Sequence, residues 1–331
     1  MLRANRLLSL LLLGIGIATS APQIFAQALS PPFTGIWKWD ATNQVLFFGY
    51  GTEEPGLGFV VRGYADARQR GEDINIFKDF PGAQEVIVDG LTAGPGGTTL
   101  IAASLNADAK VQDAILTYDP LGGLLGAWDP APQEPRAIAY SKEDDALFVL
   151  GGLSVPNGAN ASDQPLVVEY SLDGRTLRSM VPASTLKDGA DSLFLGGDGG
   201  EPALKVTRDR IYFYAPENHE AVICDHNGRV IAYRNVSDIV GKISTQDGSH
   251  LVQIHGADFT DDGELVLELA LSNERGLAFD VFRINIATGE AAPVRKAYSG
   301  EEGRFIGVKG GQYLYLANSP NPSLVESQES R

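Results

Sequence analysis

Cysteine is almost missing from this chain: there is one, Cys224, in 331 residues, beside two methionines, three tryptophans and four histidines. A lone thiol excludes an internal disulfide framework, so stability has to come from a large apolar core. In "AVICDHNGRV" that thiol is flanked by apolar residues and reads as a small buried hydrophobe, not a nucleophile. Four scattered histidines argue against a multi-histidine metal centre. His219 and His226 stand five and two positions from Cys224, offsets that match no zinc pattern. Basic residues are also scarce, 26 Lys and Arg against 42 Asp and Glu, a net charge of −16 that makes nucleic acid and anionic membrane surfaces poor partners. Gly-x-Ser-x-Gly, phosphate-loop and HExxH sequences are absent. No helical periodicity of useful length and no apolar segment of membrane length follows residue 28.

The N-terminus supplies an address. Arg3 and Arg6 precede an apolar run at 7–18 and then Ala26-Gln27-Ala28, the small-x-small form that a signal peptidase accepts. Residues 1–28 are therefore expected to be a secretory signal, with the exported chain, periplasmic or secreted, starting at Leu29. Taking away the two arginines leaves 24 basic against 42 acidic side chains, a net of −18. A single large domain over 29–318 and a tail over 319–331 are expected.

What is abundant is short strands and tight turns. A turn followed by a strongly β-forming run occurs six times: "WDATNQVLFFGYG", "AGPGGTTLIAASL", "SKEDDALFVLGGL", "TRDRIYFYAPEN", "TDDGELVLELAL" and "KGGQYLYLANS". The first clearly apolar residues of these runs, Val45, Leu100, Leu147, Ile211, Leu265 and Tyr313, are spaced by 55, 47, 64, 54 and 48 residues. Between them lie second hairpins, at 59–77, 114–128, 166–180, 220–234 and 279–294, with glycine or Asp/Asn-Gly turns that supply positive φ. Two hairpins per period of about fifty residues is the spacing of a four-stranded propeller blade. The fold class is thus all-β, a β-propeller of six blades. Only one strand fits after the sixth inner hairpin, so the last blade is either incomplete or closed from the N-terminal side.

At "PRAIAYSKEDDALFVLGG" followed by "LVVEYSLDGRTLRSM" the chain resembles the bacterial six-bladed propellers that include NHL-repeat and TolB-like proteins. The resemblance runs over nearly the whole chain after residue 28, but through turns and core positions, so it implies a fold and not an activity. One branch, the gluconolactonase-like hydrolases, holds a divalent metal with a glutamate, asparagines and an aspartate at strand starts. This chain lacks the "E-G-P-x-W" phrase; its nearest counterpart is "GIWKWDATN", where Asp40 and Asn43 fall in a turn.

Two long connections, 181–205 and 234–258, lead into inner strands. They carry Lys187, Asp188, Asp191, Asp198, His250, Gln253, His255 and Asp258 toward one face, with Glu85, Arg136 and Arg304 at the starts of other inner strands. Arg136 and Arg304 would fix an anion, and His255 with Asp258 would be available for acid/base or ligand work. Their offset of three places those two on opposite faces of a strand unless the chain bends near Gly256. By contrast, Asp261-Asp262-Gly263 reads as hairpin turn. The acidic "ADSLFLGGDGG" is a candidate for weak Ca²⁺ binding, and no resident metal is assigned. The preferred expectation is a monomeric exported scaffold binding a protein, peptide or glycan on the long-loop face; the alternative is a metal-assisted, lactonase-like hydrolase or lyase in the axial channel.

Overall fold

The computed structural model of the chain describes residues 27–28, 35–51, 59–65, 68–107, 110–153, 163–193, 200–245, 248–299, 303–317 and 323–327. These form antiparallel sheets of four strands. β1 (Gln27–Ala28) stands ahead of the first full blade, which comprises β2 (Gly35–Asp40), β3 (Val45–Gly51), β4 (Phe59–Ala65) and β5 (Arg68–Asn75). A turn of helix, α1 (Ile76–Asp79), leads to the second blade: β6 (Glu85–Ala93), β7 (Thr99–Ala107), β8 (Lys110–Tyr118) and β9 (Leu124–Trp128). The third blade is β10 (Gln133–Ser141), β11 (Ala146–Leu153), β12 (Pro165–Tyr170) and β13 (Thr176–Pro182). The fourth is β14 (Ala203–Val206), β15 (Ile211–Ala215), β16 (Glu220–Cys224) and β17 (Val230–Asn235). After α2 (Ser237–Ser244) comes the fifth: β18 (His250–Phe259), β19 (Glu264–Asn273), β20 (Gly276–Asn285) and β21 (Ala291–Tyr298).

These five blades are each built from consecutive strands. The last sheet is partial. It contains β22 (Arg304–Lys309), β23 (Gln312–Ala317) and β24 (Ser323–Ser327), the last within the segment read as a tail, and its outer strand is the two-residue β1, with Gln27 opposite Leu324 and Ala28 opposite Ser323.

The apolar runs form strands because both of their faces are buried. Phe47 in β3 belongs to a cluster shared with β6, β7 and β8, while its neighbours Leu46 and Phe48 belong to one shared with Ile306, Leu314 and Leu316 of the last sheet. Similar clusters fill the spaces between the second and third, third and fourth, fourth and fifth, and fifth and last sheets. A strand sandwiched between two sheets has no reason to alternate polar with apolar, hence "VLFFGYG" and "ALFVLGG". All six of the sequence's reference residues, from Val45 to Tyr313, are buried. The first strands β2, β6, β10, β14, β18 and β22 line the axis and touch in cyclic order. Their turn ends lie together at what we call the lower rim, and their starts at the upper rim.

One expectation needs correcting. The stretch 234–258 is not an open loop: it holds α2 and most of β18. Eight residues are too few for a conspicuous helical period, and α2 forms because Val240 and Ile243 bury one face beside β18 and Val236. Likewise 181–205 carries two short 3-10 turns, Ala183–Thr185 and Gly189–Leu193, before β14; Asp198 lies outside the described residues.

Candidate functional site

The lower rim is closed by polar side chains. Asp40, at the end of β2, is buried and accepts hydrogen bonds from the Thr92 hydroxyl at 2.8 Å, the Ala93 N–H at 2.8 Å and the Asn43 amide at 3.0 Å. Burial raises its pKa, partly offset by those donors. Asn43 Nδ2 also donates to the Tyr140 carbonyl on β10 at 3.0 Å, and the Thr42 hydroxyl accepts from the Val206 N–H on β14 at 2.9 Å. A turn of the first blade that reaches the third and fourth lies across the axis, so this end of the channel is plugged. Asp40 and Asn43 do sit at a turn, as expected, and both serve the plug.

Asp258 closes the remaining arc. It is 1% exposed, and its Oδ2 accepts from the Trp39 indole N–H at 3.0 Å and the Val308 N–H at 2.7 Å, while Oδ1 accepts from the Phe259 N–H at 2.7 Å. One carboxylate thereby ties β18 to β22 and β2. Burial pushes its pKa up to about 6, against the opposing pull of Lys205 and the three donors. Lys205, itself buried, donates to the Phe259 carbonyl at 2.7 Å and to Asp261 at 2.8 Å. Asp261 and Asp262 occupy the turn after Phe259, as the repeat indicates.

Asp258 does not pair with His255. His255 is the extra residue of a β-bulge in β18, between Ile254, which faces Leu269, and Gly256, which faces Glu268. Its ring meets Phe279 edge-on, with centroids 5.7 Å apart, and burial together with the nearby Arg304 charge lowers its pKa to about 4. An imidazole held neutral at that value is a weak base near pH 7. Arg304 lies over the other part of the same Phe279 ring at 4.2 Å and is engaged by Glu268, through Nε at 2.8 Å and Nη2 at 2.6 Å. Glu268 is fully buried and also accepts from the Phe305 N–H and the Tyr298 hydroxyl. Of the candidates at the upper rim, then, His255 and Arg304 share one corner. Glu85 begins β6 and His250 begins β18; both are exposed, as is Asp191 in the 3-10 turn.

Arg136 is placed differently. It is the bulged residue of β10, and Asp89 is the bulged residue of the neighbouring β6. Gly90 follows Asp89, and a Cβ there would meet the Ile138 N at 2.9 Å, so only glycine lets the two strands approach. Both side chains line a cavity of about 460 Å³ between the second and third blades, together with Ser104, Asp113, Glu134 and Asp129, and with Ile87 and Val111 as apolar walls. Arg136 pairs loosely, 3.8 Å from Asp89 and 3.5 Å from Glu134. The Ser104 hydroxyl lies 2.9 Å from Asp89 Oδ2 and 2.7 Å from Asp113 Oδ1. Burial raises the Asp89 pKa, opposed by Ser104, Arg136 and Lys38, with Asp113 adding to the rise. Lys38 reaches across the axis from β2, donating to the Asp89 carbonyl at 3.2 Å and to Glu201 at 2.8 Å.

Sequence reasoning found Arg136 here but missed Asp89, Ser104 and Asp113. The available signal was Asp89-Gly90 inside an otherwise apolar strand, the same polar-glycine pair as His255-Gly256. Among the described residues no group of three or more His, Cys, Asp or Glu side chains is arranged to hold a metal ion. Cys224 is buried and its thiol is pushed up to about 12, while His219 bonds Tyr214 and His226 bonds the Thr207 carbonyl, so those three side chains serve separate contacts.

Neither a family model nor a curated protein matches the chain. Solved structures do. A putative exported protein from Bacteroides fragilis is similar over 93% of this chain and 95% of its own, at 10% identity and a TM-score of 0.52. A protein of unknown function from Bacteroides caccae covers 82% and 85% at 15% identity, TM-score 0.44, and a streptogramin B lyase covers 92% and 97% at 12% identity, TM-score 0.46. At 10% identity the likeness to the Bacteroides fragilis protein supports the β-propeller fold seen here and says nothing about activity. No helix among the described residues is long and apolar enough to cross a membrane.

Proposed function

We propose that this is an exported, six-bladed binding propeller that captures a peptide segment bearing a basic side chain in the cavity between its second and third blades. The carrying observation is the shared serine. A hydroxyl has one proton, so Ser104 donates to Asp89 or to Asp113 at any moment, and two carboxyl groups share that one donor at the cavity wall. An incoming ammonium or guanidinium supplies a second donor, Ile87 and Val111 offer it apolar flanks, and Glu134 and Asp129 add negative potential. A glycan is less favoured because no aromatic ring lines this cavity as a stacking platform. Catalysis in the axial channel finds little support, since the lower rim is plugged and Asp258 and Arg304 are committed to buried structural partners.

The test is calorimetric titration with tripeptides that differ only in a central Arg, Gln or Glu. Arg should bind best, and Asp113→Asn should weaken it at least tenfold while leaving the melting temperature nearly unchanged. Equal affinity for Arg and Glu tripeptides, or an unaltered Asp113→Asn, would remove the proposal.

A further inference from the structure

The second blade is built unevenly. β8 runs for nine residues and β9 for five, and their pairing covers only Ile115–Tyr118. The upper part of β8, Lys110–Ala114, is paired with β7 on one side, and among the described residues no strand lies against its other side. In the third and fourth blades, by contrast, the outer strand follows its neighbour from end to end, over Pro165–Tyr170 and Glu220–Cys224. The bare stretch of β8 also has a cavity on each face. Successive side chains of a strand point to opposite sides, so Val111 and Asp113 line the acidic cavity, whereas Lys110 and Ala114 line a second one of about 410 Å³. The second cavity is walled by Phe80, Ala83, Leu105, Ala127 and Trp128 and is mostly apolar. Gln112 and Asp129 border both, so the two cavities meet at the open edge of β8.

We propose that the peptide binds as an added strand, antiparallel to β8 and in line with β9, with its basic residue opposite Asp113 and its next residue, an apolar one, opposite Gln112. Backbone hydrogen bonds to Lys110–Ala114 hold the main chain. The alternation of the strand then sends the basic side chain toward Asp113 and Asp89 and the apolar one between Phe80 and Trp128. The acidic wall selects the charge of the first residue, and the apolar wall selects the second. The inference rests on the proposed capture of a basic side chain, to which it adds the peptide's extended conformation and the identity of the residue that follows.

Calorimetric titration compares blocked peptides containing Arg-Leu, Arg-Gly or Arg-Gly-Leu. The adjacent leucine should tighten binding about tenfold or more over glycine, whereas the displaced leucine, pointing back to the acidic side, should add no more than about twofold. Equal affinity of the Arg-Leu and Arg-Gly peptides, or of the two leucine positions, overturns the added strand. If Arg is still preferred to Gln at the first residue in that event, only the added strand falls; if that preference is missing too, the captured cation falls with it. Gly82 lines the second cavity from an exposed turn, and a Cβ there meets nothing within 4 Å, so Gly82→Phe fills the cavity without straining the fold. The variant should erase the leucine gain and keep the preference for Arg; a retained leucine gain overturns the proposal. Methylating the Arg and Leu amides of the peptide in turn should weaken binding for one of them only, because alternate amides face β8, and equal effects at both would also overturn it.

Discussion

Replacing Asp258 by asparagine isolates the ring-closing staple. Asparagine keeps the shape and one acceptor oxygen, which can stay on the Trp39 and Val308 side, so one of three hydrogen bonds is lost and a buried charge is removed. The lost bond costs about 1–2 kcal/mol. Against it stands the burial cost that lifts the carboxyl from 3.8 to about 6, equivalent to about 3 kcal/mol above that pH. Near neutral pH the variant should therefore be as stable as the parent or slightly more so. Its pH dependence should differ. A folded-state pKa above the unfolded value means that the native carboxyl holds its proton longer, so Asp258 contributes stability that is present below about pH 4 and is lost as pH rises through 6. His255 acts in the opposite sense. Its pKa is depressed to about 4, so its contribution is present above about 6.5 and is lost as pH falls; half-buried, it is worth about 1–2 kcal/mol. In the parent the two contributions therefore oppose each other between pH 4.5 and 7, whereas Asp258→Asn keeps the His255 contribution unopposed by Asp258 and should lose more stability on acidification than the parent does. Urea unfolding followed by tryptophan fluorescence at pH 4.5 and 7.5 reads the gap between the two proteins, which should change by about 2–3 kcal/mol. A gap that stays constant within about half a kcal/mol would refute the assignment of the raised pKa to Asp258.

Gly307→Ala should destabilise by about 2–4 kcal/mol in thermal or urea unfolding, because its Cβ would lie 2.2 Å from Trp39 Cδ1 and Nε1 and push the indole off Asp258; a change below about half a kcal/mol would show that the strands have slack. Glu268→Gln should cost about 2–4 kcal/mol by leaving the Arg304 guanidinium without its carboxylate in a largely buried corner, and should not be rescued by high salt. Cys224 should resist iodoacetamide at pH 8 in the native protein and react fully in guanidinium, since burial pushes the thiol up to about 12; native labelling would contradict its position between β15 and its neighbours.

The architecture was legible in the sequence because a blade's second strand is buried on both sides. That produces continuous apolar runs such as "ELVLELAL" at a regular spacing, and each of the six expected inner hairpins is present, from Asp40–Val45 to Lys309–Gln312. Helix α2 was not legible: eight residues carry too little periodicity, and its stability comes from Val240 and Ile243 docking on β18. The site was legible only in part. Arg136, His255 and Asp258 stood out as polar residues on inner strands, but an isolated sequence cannot say which neighbour each one meets. Asp258 sits 219 positions from Trp39, and Arg136 is 47 from Asp89. Bulges add a second obstacle, since one inserted residue rotates a side chain to the other face and breaks the period-two reading that separates His255 from Asp258.

The way polar groups are spent along the axis is what supports the proposed ligand site in the cavity over one in the channel. At the lower rim each carboxylate is well supplied with donors: Asp40 takes them from four residues of two blades, and Asp258 from three strands. At the corner of the fifth and last sheets, Glu268 satisfies Arg304 twice over and two further donors besides. Such saturation is what a buried charge requires if it is to stabilise a closed ring, and it leaves nothing for an incoming molecule. Between the second and third blades the balance reverses. Two carboxylates draw on one serine proton, and Arg136 lies 3.8 Å from Asp89 and 3.5 Å from Glu134. On the proposed reading, a cationic side chain entering the cavity would supply the second donor that the serine cannot.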